Sequence, residues 1–214
     1  MEREERTFQA DELEIREGID GAPPVVAGYA VVFDSWSETM VDGRGRPFRE
    51  RVAPTAFDRA LGANPDVRAL WNHNADFPLG RTRNGTLRVQ KDARGLRFEL
   101  MAPATTWGRD AVESIRRGDV SGVSFAFSVK RENGDTWEKP GADGVAQRTL
   151  LDADLYEVSP VTFPAYPATS VGVRAVSVPD FEESDSRAAG EIEADARGRA
   201  AARARAIELL QLEA

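Results

Sequence analysis

"VSGVSFAFSV", residues 120–129, sorts its side chains by the two-residue period of a β-strand. Val123, Phe125, Phe127 and Val129 fall on one face, bulky and apolar enough for a core. Gly122, Ser124, Ala126 and Ser128 fall on the other, and every one of them is small. A face of small residues leaves room for something to approach. It serves either close packing against a helix or access to the Ser124 hydroxyl.

The flanks of this strand extend the pattern. Upstream, "TTWGRDAVESIRRGDV" (residues 105–120) predicts a helix capped by Thr105 or Thr106, with Val112 and Ile115 inward and Gly118 as its stop. Before it, residues 86–90 and 96–101 predict two strands around a turn at Asp92–Gly95. "VVAGYAVVFDSW" (25–36) and "VRALW" (67–71) are further strands, and "VAPTAFDRAL" (52–61) is a short helix with Phe57 and Leu61 on one face. "RENGDTWEKPGADGV" (131–145) has two glycine-centred turns and predicts an exposed excursion, after which "RTLLDADLYEVSPVTF" (148–163) returns to strand. The expected fold is mostly antiparallel β with a few helices. Three segments are expected: an acidic arm at 1–17, a folded domain at 18–176, and a polar linker with an Ala/Arg-rich helical tail at 177–214.

Composition removes many chemistries. Of the 214 residues none is cysteine and one is histidine, which excludes thiolate chemistry and zinc sites built on several imidazoles. No metal or cofactor is expected. The net charge of −8 resides in the ends: residues 1–17 carry seven acids and three bases, residues 180–214 nine and five, leaving 20 of each between them. That distribution argues against a nucleic-acid partner. No apolar run approaches the roughly 20 residues of a membrane span, and residues 1–10 have no signal-peptide pattern.

The single histidine, His73, stands in "RALWNHNADFPLGR" (68–81). A lone histidine is an ordinary surface or core residue in many proteins, but here two other residues bear on it. Glu157 shares the strand parity of Leu151, Ala153 and Leu155, so it should be buried and in need of a partner. That partner is either an arginine in a structural ion pair or an imidazole. Ser124, His73 and Glu157 together are the parts of an activated hydroxyl nucleophile: the base takes the serine proton, and the acid fixes the tautomer of the base. Their order along the chain is not one of the three familiar ones, and no G-x-S-x-G elbow of the esterase kind occurs.

"GYAVVFDSW", "VAPTAFDRAL", "ALWNHNADFPLGR", "LRFELMAP", "IRRGDVSGVSFAFSV" and "LYEVSPVTFPAYPAT", in that order over roughly residues 25–176, resemble the HK97-type prohead (capsid maturation) serine proteases of tailed phages, a family related to the herpesvirus maturational proteases. The resemblance implies an antiparallel β-barrel core like that of the herpesvirus enzymes. It also implies a serine endopeptidase with His73, Ser124 and Glu157 as catalytic residues. Asp152 and Asp154 are alternatives for the third position, and backbone amides near Ser121–Gly122 or the Arg148 guanidinium are candidates for the oxyanion. The implied substrates are the scaffolding segment of the major capsid protein and the protease itself, inside an immature capsid in the bacterial cytoplasm. A homodimer is implied by the fold relatives. The alternative is a non-enzymatic assembly factor that retains the fold.

Overall fold

A computed structural model describes residues 3–9, 13–130, 132–163 and 176–181. The chain divides into Met1–Val178 and Pro179–Ala214. The expected tail helix lies outside the described residues.

Within the first unit, β10 (Gly122–Val129) is buried along nearly its whole length. Its bulky face behaves as the two-residue period requires: Val123, Phe125 and Phe127 enter the main apolar cluster. The Phe125 and Phe127 rings stack 5.0 Å apart. Phe57 meets Phe125 edge-on at 6.0 Å, from the segment that leads into α1 (Asp58–Gly62). The helix expected before β10 is α2 (Thr106–Arg116). Thr105 caps it by accepting from the Gly108 amide, and Ala111, Val112 and Ile115 are its buried face. Gly118 follows with φ +79°, a left-handed stop that a side chain would strain.

β10 lies inside a sheet ordered β1 (Glu4–Gln9), β10, β13 (Ala153–Val161), β6 (Arg68–Trp71), β7 (Asn74–Arg81). A second sheet joins β2 (Glu14–Arg16), β3 (Val25–Val32), β9 (Gly95–Met101) and β8 (Leu87–Lys91). A third runs β11 (Asp135–Glu138), β12 (Ala146–Leu150), β5 (Pro47–Val52), β4 (Met40–Val41). The described residues are thus mostly β with few helices, as the patterns require.

Three expectations change. The described strands form open sheets rather than a closed antiparallel barrel, and β12–β5 and β13–β6 are parallel pairs. Closure needs terminal strands that pair with each other, whereas the second and third sheets stop at edge strands of three and two residues. Residues expected as an acidic arm contribute β1 and β2, each paired in register with the strands behind it. The excursion at 131–145 contains β11, which pairs antiparallel with β12.

Candidate active site

β6 and β7 form a hairpin whose two-residue turn is Asn72–His73, with Trp71 opposite Asn74. Both turn residues have positive φ, 52° and 59°, the backbone sign of the type I′ turns that suit twisted hairpins. Such turns favour Asn-Gly; a histidine in the second position costs roughly 1–2 kcal/mol of backbone strain. The turn is stitched to the end of β13 from both sides. The Asn72 amide donates to the Pro160 carbonyl at 3.1 Å, and the Thr162 amide donates to Asn72 Oδ1 at 2.8 Å. The strained residue therefore sits over the strand that carries Glu157.

His73 Nδ1 and Glu157 Oε1 are 2.5 Å apart, with the imidazole 24% and the carboxylate side chain 3% exposed. Glu157 Oε1 also accepts from Ser159 Oγ at 2.8 Å, and that hydroxyl in turn accepts from the Leu70 amide at 2.9 Å. The Arg3 guanidinium pairs with Glu157 Oε2. Burial works against the imidazolium, but the Glu157 hydrogen bond and charge outweigh it and raise the His73 pKa above its ordinary 6.5. Burial likewise pushes the Glu157 carboxyl up, and His73, Ser159 and Arg3 together bring it below its ordinary 4.5.

The burial of Glu157 has a different origin from the one its parity suggests. The β10–β13 register shifts between Ala126 and Phe127, so Phe127 pairs with Leu155 and Ala126 with Glu157. Tyr156 is the extra residue of this bulge, and it breaks the alternation that links Leu155 to Glu157. Leu155 stays in the core, while Glu157 turns to the small face of β10. Ser124 is on that face too, opposite Ser159. Ser124 is fully enclosed, and its hydroxyl donates to the Arg6 carbonyl of β1 at 3.0 Å. Among the described residues no hydrogen bond joins Ser124 to His73.

The remaining candidates have other partners. Asp152 and Asp154 both pair with Arg59. Arg148 is committed to a buried charge cluster beneath β1: it donates to Glu4 at 2.7 and 3.0 Å, to Glu50 at 2.8 Å and to Asp135 at 2.7 Å. Arg6 completes the cluster through Glu50 at 2.9 Å and Glu4 at 2.7 Å. An oxyanion role for Arg148 is therefore not supported by its surroundings. Sequence reasoning missed Ser159, Arg3 and this cluster. Ser159 carried one usable signal, its position two residues beyond Glu157 on the same strand.

A family model described as caudovirus prohead serine protease matches residues 11–184. No curated protein matches the chain. Among solved structures, that of the bacteriophage T4 capsid assembly protease, gp21, is similar with a TM-score of 0.44 at 12% identity, covering 74% of this chain and 96% of that one.

Proposed function

Because this chain belongs to the caudovirus prohead serine protease family, we propose that it hydrolyses peptide bonds in the scaffolding segment of the major capsid protein, and in its own chain, with Ser124, His73 and Glu157 as catalytic residues. The setting is an immature phage capsid in the host cytoplasm. The observation that carries the assignment is the 2.5 Å contact between His73 Nδ1 and a buried Glu157. A carboxylate accepts only, so Nδ1 holds its proton and Nε2 is left with the free lone pair of a base.

In this reading Nε2 takes the proton of the Ser124 hydroxyl as its oxygen attacks the scissile carbonyl. Glu157 stabilises the imidazolium so formed. The imidazolium then protonates the leaving amine, and water hydrolyses the acyl-serine by the same steps in reverse roles. The hydroxyl must first exchange the Arg6 carbonyl for Nε2, and the enclosed Ser124 must be uncovered before substrate reaches it. Kinship with the herpesvirus maturational proteases and a homodimeric state belong to the same proposal; sedimentation of the purified chain checks the second.

The enclosed Ser124 is the observation that favours the other reading, a non-enzymatic assembly factor. Intact masses of the capsid protein, coexpressed with wild type or with Ser124→Ala, decide between them. Trimming at a defined bond by wild type and none by the variant is the expected result. Shells that assemble untrimmed with both would favour the assembly factor, and trimming by both would remove Ser124 from the mechanism.

A further inference from the structure

We propose that Ser159 is a positioning residue for the His73–Glu157 pair, an inference that rests on the serine-protease reading above. Its side chain is fully buried and stands in an unbroken sequence of hydrogen bonds. The Leu70 amide donates to Ser159 Oγ at 2.9 Å, Ser159 Oγ donates to Glu157 Oε1 at 2.8 Å, and the same oxygen meets His73 Nδ1 at 2.5 Å. The direction of each bond is forced. A main-chain amide only donates and a carboxylate only accepts, so the hydroxyl proton points at Glu157.

The origin of the sequence of bonds matters as much as its end. Leu70 lies on β6, two residues before the turn that carries His73. Ser159 therefore references the carboxylate of β13 to the backbone of the strand that delivers the imidazole. A free glutamate side chain loses about 1.5–2 kcal/mol of rotamer entropy when held in one orientation, so a built-in donor that selects the orientation has a clear use. Ser159 is also the cross-strand partner of Ser124, which puts it beside all three residues of the proposed mechanism. Alanine in its place would leave the Leu70 amide without an acceptor and Glu157 Oε1 with one donor fewer.

The single histidine makes the test site-specific, because its imidazole resonances belong to no other residue. The full chain would be titrated by NMR as wild type, Ser159→Ala and Ser159→Thr, with cleavage kinetics on the capsid protein for each. In Ser159→Ala the imidazolium loses its aligned acceptor. The His73 midpoint then falls toward 6.5 and the acid limb of kcat follows it down. At the plateau kcat drops about 10- to 100-fold with KM unchanged. Ser159→Thr keeps the hydroxyl and restores midpoint and kcat, which guards against a mere packing defect. A folded Ser159→Ala whose midpoint stays at or above the wild-type value overturns the proposal, as does a lowered kcat that threonine fails to restore. Failure of the protease reading is distinct: wild type itself would then leave the capsid protein uncut, whatever the His73 midpoint of Ser159→Ala.

Discussion

Replacing Arg148 with methionine removes the cation that joins Glu4, Glu50 and Asp135 beneath β1. Arg6 would remain as the one cation of the cluster against three carboxylates, two of them, Glu4 and Glu50, at most 5% exposed. Breaking a buried pair by deleting one partner costs about 3–5 kcal/mol, because the other charge stays behind in a medium of low polarity. In a unit of this length each kcal/mol moves Tm by about 2–4 °C, so the expected loss at pH 7 is about 6–20 °C. The sign of its pH dependence separates this from a packing defect. In wild type, burial raises the Glu4 carboxyl, and Arg148 and then Arg6 more than compensate, leaving it below 4.5. Its contribution is thus present above pH 4.5 and lost as the pH falls through the folded value. Without Arg148 only Arg6 opposes the effect of burial, so the carboxyl takes up a proton more readily than in wild type, and acid relieves the variant by neutralising it. Calorimetric scans at pH 7 and pH 5 should show the gap between the two proteins narrowing at the lower pH. A gap under 2 °C at pH 7, or one that does not narrow, would falsify this account of the cluster.

Other outcomes follow from the same structure. The His73 pKa is raised above 6.5 and that of Glu157 lowered below 4.5. The stabilisation from their pair is complete below pH 6.5 on the histidine side, and it fades as the pH rises through the folded His73 value. On the glutamate side it holds above pH 4.5 and fades as the pH falls through the folded Glu157 value. In the proposed mechanism cleavage needs the neutral imidazole, so its rate should climb on the alkaline side of the stability maximum; parallel pH series of Tm and kcat check the offset. Phe125→Ala, which empties a fully buried site between Phe57 and Phe127, should cost about 3–5 kcal/mol in urea unfolding. Removal of residues 1–9 should make Ser124 react faster with a fluorophosphonate than in the full chain, and equal rates would mean that β1 does not limit access.

Where local pattern determines structure, the sequence was readable. The two faces of β10 follow from its period, and α2 follows from Thr105, its apolar spacing and Gly118. β7 was hidden because "NADFPLGR" mixes polar residues with a proline and has no alternation. The Asn72–His73 turn was hidden because hairpin turns of positive φ normally announce themselves with glycine. The pattern marks Glu157 as buried, but nothing in it marks the bulge at Tyr156 that turns the side chain to the other face. The charge cluster was the least legible. Glu4 and Arg6 look like solvated ends of an acidic segment, and their burial depends on Glu50, Asp135 and Arg148, which only the fold brings near.

The pairing of β1 with β10 also bears on the order in which the chain folds. Glu4 lies opposite Phe127, and Arg3 meets Glu157 from the far end of the unit. Contacts of such long sequence separation form late, because a large loop must close before they return any energy. Until β1 docks, the Ser124 hydroxyl lacks the Arg6 carbonyl to which it donates in the folded unit. If docking of β1 is slow, a newly made molecule should react at Ser124 faster than an older one, and the protein's reactivity would carry a record of its age.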